Sequence, residues 1–412
     1  MATNSTPRIK TLHVQTPQGY SGLLAKDGQH VFGYAPEVVS QRGASRSISL
    51  TMPIRAESYK TTPMLPVFQT FLPEGFLAER IVERFAKTLR MDEMALLALS
   101  GANAIGRLRL SQSPDADARK APVESLKEIL ENQGSKNLFA DLCDRYLIAS
   151  GIAGIQPKVM LEAEDDLPEP RKSSKPSIGE KSSLHGRSLI IKVSGDDFPD
   201  LTENEFHCLT IAKQLQFPVP NFWLSQDGKR LAIERFDYDR STDSFLGFED
   251  MVSLQGKVNA RKYEGSYENV TLAIIQNTSP AYTQQSLDEF FNSLVLSMVL
   301  RNGDAHLKNF GLLYTDPDAN DCRLSPLYDI VCTTVYLQND LPALSLAGQK
   351  AWPTRDALLR FGRDVCRVKR PEDRLNRVIN AATEYRPEAD ESGMWKSMKK
   401  TIDAAALALD AR

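Results

Sequence analysis

Cysteine, histidine and tryptophan are all scarce: five, five and three in 412 residues. The cysteines, Cys143, Cys208, Cys322, Cys332 and Cys366, are dispersed, odd in number and never spaced C-x-x-C, which excludes a disulfide framework and a zinc-ribbon pattern. They read as small buried hydrophobes. No segment reaches the roughly 18 uncharged apolar residues of a membrane span. Met1 to Thr16 lacks an apolar core, which argues against a secretory signal and points to a soluble protein of a reducing, cytoplasmic compartment. Nor does one sign of charge dominate, with 50 Lys and Arg against 53 Asp and Glu and a net charge of -3. A uniformly basic, nucleic-acid-coating surface is thereby excluded, and only a local patch is left open. Arg360, Arg363, Arg367, Lys369 and Arg370 are the candidate, read first as a solvated helix face.

What is present is ordinary globular material in a length that suits two or three domains. Short alternating runs, Lys10 to Val14 and Ser47 to Thr51, read as strands, and Phe76, Leu77, Ile81 and Phe85 recur at helical spacing. The 26 residues from Glu162 to Arg187 hold five Ser, three Pro, six acids and five bases, so they read as a surface insertion. The flanking runs Lys158 to Leu161 and Ser188 to Val193 then become paired strands. A helix is expected over Asn204 to Leu215, a strand over Arg230 to Phe236, and mainly helix beyond Ser286, interrupted by loops around Arg301 to Asn309 and Asp316 to Asp321; Ser286 and Glu289 have capping-box spacing. The expected fold is α+β: a small N-terminal α+β subdomain (1–115) and a two-lobed, protein-kinase-like core. Its N-lobe part (116–236) carries the insertion, 162–187, and its C-lobe (237–412) is mainly helical.

The chemistry-bearing residues follow a definite order. Ser150-Gly-Ile-Ala-Gly-Ile-Gln-Pro-Lys158 has two glycines three apart before a strand, which suits close approach to an anion and also an ordinary turn. Lys192 interrupts the apolar run Leu189 to Val193, so it either snorkels at a sheet edge or finds an anionic partner, a phosphate or an acid. Glu203 and Glu205 are the candidates, and Glu205 is preferred. After a buried helix, Asp304-Ala-His-Leu-Lys-Asn309 has the D-x-x-x-x-N spacing in which the Asp orients an attacking hydroxyl and the Asn holds a metal, while Lys308 is placed to neutralise phosphoryl charge. Leu324 to Val331 reads as a short apolar strand, and Asp329 near its end is a second metal-ligand candidate or a turn cap. This is the order of a kinase fold.

Gly154-Ile-Gln-Pro-Lys158, Ile191-Lys192, Asn204-Glu205, Ala232-Ile-Glu-Arg-Phe-Asp237, Glu249-Asp250-Met251, Asp304 to Asn309 and Leu327-Tyr-Asp329 resemble HipA-type serine/threonine protein kinases, the toxins of bacterial toxin–antitoxin pairs. Tyr34-Ala-Pro-Glu37 and Phe71-Leu-Pro-Glu-Gly75 resemble that family's first subdomain. The resemblance implies an ATP-facing loop at Ala153, Gly154, Ile155, Gln156, Pro157 and Lys158, phosphate contact by Lys192, and adenine held by the main chain of Glu234, Arg235 and Phe236. It makes Asp304 the catalytic base. His306, Leu307, Lys308, Asn309, Tyr328 and Asp329 become nucleotide-site residues, with Asn309 and Asp329 on Mg2+. It further implies a protein substrate, often an aminoacyl-tRNA synthetase, and a DNA-binding HipB-like antitoxin through which DNA is reached. A dimer within that complex and no membrane partner complete the expectation. The family's autophosphorylated loop serine is replaced here by Gly151 and Ala153, with Ser150 one residue out of register. A small-molecule kinase and a catalytically silent, antitoxin-binding module are the competing readings.

Overall fold

A computed structural model describes residues 6–41, 46–114, 123–131, 141–142, 145–146, 156–164, 187–388, 390 and 392–410. The first sheet is antiparallel, in the order β4-β3-β2-β1-β5, from β1 (Thr11–Thr16), β2 (Gly19–Asp27), β3 (Gln29–Tyr34), β4 (Tyr59–Thr61) and β5 (Arg109–Ser111). Alternation in β1 turns Leu12 and Val14 into a core with Phe32, Phe68 and Leu97. The helix Gly75–Phe85 leaves this block, and its apolar stripe, Leu77 and Ile81, packs on Met160 and Ile190 of the next sheet.

That second sheet runs β6-β7-β8-β10-β9, from β6 (Val123–Ser125), β7 (Lys158–Glu164), β8 (Arg187–Val193), β9 (Phe222–Leu224) and β10 (Arg230–Glu234). β7 and β8 are the expected antiparallel neighbours, with Lys158 opposite Lys192. Both strands are buried on both faces, which explains their nearly unbroken apolar runs. The helix Leu201–Gln214 packs behind β8, β9 and β10. A two-stranded ladder, β11 (Tyr238–Asp239) with β12 (Ser244–Phe245), leads to the sheet β13 (Gly247–Asp250), β14 (Gly311–Tyr314) and β15 (Arg323–Leu324). Around it the helices Tyr267–Asn277, Thr283–Val299, Pro371–Glu384 and Met394–Asp410 share one large core.

Four local expectations are corrected. Ser47 to Thr51 is irregular, because Ser49 Oγ and the Leu50 N–H donate to the buried Glu249 carboxylate instead of a strand ladder. Ser286 does not cap its helix, which begins at Thr283; its hydroxyl accepts from the Leu324 N–H. The strand before Asp329 ends at Leu324, so Ser325 to Asp329 is coil. The loops expected around Arg301 to Asn309 and Asp316 to Asp321 are present, but from Cys322 to Thr354 the chain stays short strand, coil and 3-10 turn rather than helix, with Cys332 and Thr333 tied by side-chain bonds to Asn204 and Gly303. The five basic residues from Arg360 to Arg370 are all exposed. Cys208, Cys322, Cys332 and Cys366 are buried free thiols, and Cys143 lies outside the described residues. Among the described residues, no helix is long and apolar enough to cross a membrane.

Candidate active site

A cleft of about 1400 Å³ opens where the second sheet, the β13–β15 region and the segment around Glu74 converge. On the sheet side, Lys192 Nζ donates to Glu205 Oε1 at 2.6 Å and to Asp329 Oδ1 at 2.6 Å. Lys158 Nζ stands 4.0 Å from Asp329 Oδ2. The strand register sets the two lysines side by side, and the helix Leu201–Gln214 brings the fully buried Glu205 up behind them. Burial works against the charge on each of these groups. For Lys192, Asp329 and then Glu205 outweigh it and hold the ammonium above its ordinary range. For Asp329, burial is outweighed by Lys158 and Lys192, which hold its carboxyl well below the usual carboxylate range. The site therefore keeps an ionised carboxylate bonded to a charged Lys192 at the cleft floor, while burial pulls the neighbouring Lys158 below its ordinary range.

The opposite wall is the loop Gly303 to Asn309, fixed by a succession of directional bonds. The Gly303 N–H donates to Thr333 Oγ1 (2.8 Å), the Asp304 N–H to Asn302 Oδ1 (3.1 Å) and the His306 N–H to Asn309 Oδ1 (3.2 Å). Asn309 Nδ2 in turn donates to the Asp329 carbonyl (3.1 Å), and Tyr328 Oη to the Lys308 carbonyl (2.7 Å). These two bonds hold Asp329 to the loop although 20 residues separate them. Asp329 itself takes a left-handed φ of 56°, a conformation Asp tolerates better than most side chains. Burial raises the Asp304 carboxyl to about 6, opposed by the hydrogen bond from Tyr263 Oη (2.8 Å) and helped by Asp329. Burial and then Lys262 lower His306 to about 4, so its ring is neutral near pH 7.

The apolar part of the cleft is formed by Ile190, Ile233, Phe236, Phe248 and Tyr328, with the Phe236 and Tyr328 rings 5.1 Å apart. Such a surface suits a flat, largely apolar heterocycle.

Of the residues expected from the sequence, Gln156, Pro157, Lys158, Lys192, Glu234, Phe236, Asp304, His306, Lys308, Tyr328 and Asp329 line this one cleft. Ser150, Ala153, Gly154 and Ile155 lie outside the described residues. Leu307 is buried in the core below the loop, and Asn309 works from behind, through its bonds to His306 and Asp329. Arg235 is turned away: its guanidinium pairs with Asp237 (2.7 Å) and donates to the Ala104 carbonyl (3.0 Å). The main-chain N–H groups of Glu234 and Arg235 are bonded to Asn221 and Ser188.

Lys308, the residue placed by the sequence to neutralise phosphoryl charge, has its Nζ 2.8 Å from Glu74 Oε1. Glu74 also accepts from Lys262 Nζ at 3.3 Å, so the segment before the helix Gly75–Phe85 reaches into the cleft. Glu74, Lys262 and Tyr263 were missed as site residues. Glu74 lies in the quoted Phe71-Leu-Pro-Glu-Gly75 motif, whereas the Lys262-Tyr263 pair sits in a polar loop with no spacing signal.

The family models for the HipA N-terminal domain and the HipA-like C-terminal domain match residues 12–111 and 150–387. The chain belongs to the HipA family. The relative named "Putative kinase Y4dM", from Sinorhizobium fredii, is 27% identical over 408 residues, covering 93% of this chain and 90% of its own. A Haemophilus influenzae protein named "Putative kinase" is 30% identical over 198 residues, 45% of this chain and 53% of its own. Among solved structures, the HipA of a Shewanella oneidensis MR-1 complex with HipB and operator DNA matches with a TM-score of 0.67 and 16% identity, covering 96% of both chains. The HipA fold thus extends over both ends of the cleft: Glu74 lies in the part matched by the N-terminal model, and Lys192, Asp304 and Asp329 in the part matched by the C-terminal model.

Proposed function

We propose that this HipA-family chain is a Mg-ATP-dependent serine/threonine protein kinase and the toxin of a toxin–antitoxin pair. The observation that carries the reading is Lys192 held between Glu205 and Asp329 across the cleft from Asp304. Phosphoryl transfer needs little covalent help from the protein, so positioning and charge compensation do most of the work. In this reading Lys158 and Lys192 hold ATP phosphates, the apolar wall takes the adenine, and Asp304 orients the acceptor hydroxyl and takes its proton. The kinase names of the curated relatives support it.

Asp329 offers an ionised carboxylate in the cleft, the hard oxygen donor that magnesium prefers, while Asn309, whose amide oxygen accepts from the His306 N–H behind the cleft, would have to give that oxygen's remaining lone pair to the ion. When bound, the ion would neutralise charge on the phosphates. Residues 116–236 and 237–412 then act as the two lobes around the cleft, with 1–115 as the added subdomain. The Shewanella complex, which holds HipB and operator DNA, supports a HipB-like antitoxin as partner with DNA reached through it, and a dimer in that assembly and a cytoplasmic place of action belong to the same proposal.

The test is incubation of the protein with labelled ATP and cell lysate, beside the Asp304→Asn variant. Label in one or a few proteins, on serine or threonine and absent with the variant, supports the reading. Label confined to a metabolite makes it a small-molecule kinase; no label, with ATP still bound, makes it a silent module. The same labelled sample addresses self-modification: phosphopeptide mapping is expected to find Ser150 or no site in its loop.

A further inference from the structure

The N-terminal block grips the catalytic wall at two neighbouring points. Gln69 Oε1 accepts from the Asn259 N–H at 2.8 Å, and the Gln69 carbonyl accepts from Asn259 Nδ2 at 2.9 Å. Five residues later, Glu74 accepts from Lys262 and Lys308. The strap Asn259 to Tyr263, so held, continues directly into the wall. Its Lys262 carbonyl accepts from the Leu307 N–H (3.1 Å), and its Tyr263 hydroxyl donates to Asp304.

Both lysines are largely buried, with side chains 13% and 9% exposed. Two ammonium groups so placed repel one another and pay for lost hydration unless an anion lies between them. Glu74 supplies that anion. Burial alone would raise its carboxyl, but Lys308 and then Lys262 outweigh it and keep the group ionised. The backbone is shaped for this reach, since Glu74 is extended and Gly75 takes a left-handed φ of 54° where the chain turns into its helix.

We propose that Glu74 is a positioning residue of the active site, so that the N-terminal block, matched over residues 12–111, completes the catalytic wall instead of merely adjoining it. Glu74 holds Lys308 in register and, through Lys262 and Tyr263, holds the strap that steadies Asp304. This inference rests on the kinase reading for its kinetic readout.

The experiment compares wild type with Glu74→Gln, Glu74→Asp and Glu83→Gln, the last an exposed control on the same helix. Two quantities are measured: phosphate transfer to lysate protein as kcat and KM for ATP, and hydrogen exchange of the peptide spanning 303–309. Glu74→Gln is expected to lower kcat about tenfold or more, a barrier change of about 1.4 kcal/mol, while KM for ATP moves much less. It should also speed exchange in the catalytic loop and lower the midpoint of thermal unfolding, since Lys262 and Lys308 then face each other without their anion. Glu74→Asp should recover part of the rate, and Glu83→Gln should match wild type.

Unchanged kcat and exchange in Glu74→Gln overturn the proposal. A faster Glu74→Gln enzyme also overturns it, because the carboxylate would then be a brake occupying the place of a phosphate. If wild type transfers no phosphate, the kinase reading fails by itself, and the exchange data alone decide whether Glu74 positions the loop.

Discussion

Lys192 Nζ and Asp329 Oδ1 lie 2.6 Å apart, although 137 residues separate them in the chain. The contact joins the second sheet to the end of the catalytic wall, and Glu205 closes it from behind. Removing the lysine leaves two carboxylates around a site without its central cation, and breaking a buried pair from one side costs about 3–5 kcal/mol. Lys192→Met should therefore lose about a hundredfold or more in transfer and unfold at lower urea. Burial raises the Glu205 carboxyl and Lys192 opposes that rise, so without the lysine Glu205 should take up a proton more readily and the deficit should shrink as the pH falls. A stability gap independent of pH would show that Glu205 and Asp329 do not face each other as charges.

Asp304 is raised to about 6 by burial, and its proposed role needs the ionised form. The rate of transfer should consequently fall with an acid limb centred near pH 6. Tyr263 donates to the charged carboxylate and so opposes that rise. Tyr263→Phe should move the limb to higher pH, as read from a pH–rate profile. A limb that stays in place or moves downward would remove Tyr263 from the ionisation of Asp304.

Replacing Asp304 with Asn preserves size but removes the negative charge that orients the hydroxyl. ATP affinity, followed by calorimetry, should stay within a few-fold of wild type, while transfer falls by about 10²–10⁴. Near-normal transfer would assign the acceptor to another group.

Asn204 makes two hydrogen bonds to the main chain of Cys332: its Nδ2 donates to the carbonyl (3.1 Å) and its Oδ1 accepts from the N–H (2.7 Å). The clamp joins the helix bearing Glu205 to the segment three residues after Asp329. Asn204→Ala strands a buried N–H and a buried carbonyl, each costing about 1–3 kcal/mol. Equilibrium denaturation should show a loss of about 2–4 kcal/mol, with transfer reduced as well, since the clamp sets how Glu205 approaches Lys192.

The Lys192–Glu205 pair could be read from the sequence because a lysine in an apolar strand that does not snorkel has to find an anion, and the next helix offers an acid at its buried face. The side-by-side placement of Lys158 and Lys192 could not be, since it depends on strand register across the long segment between them. The loop Asp304 to Asn309 announces itself by polar groups packed after an apolar helix. Glu74 and Tyr263 do not, because their partners lie 234 and 41 residues away and no local pattern records them. The mistaken strand at Ser47 to Thr51 has the same origin: alternation was present, but Glu249, some 200 residues on, claimed its donors.

Glu249 has a further consequence. Buried between Ser49 Oγ, the Leu50 N–H and Tyr314 Oη, it takes donors from both ends of the molecule. An N-terminal block that detached alone would abandon two of those donors and strand the carboxylate in a half-dry site. Partial opening is thereby made expensive. The two sequence-matched regions, however separable on paper, should melt in a single transition as one cooperative unit.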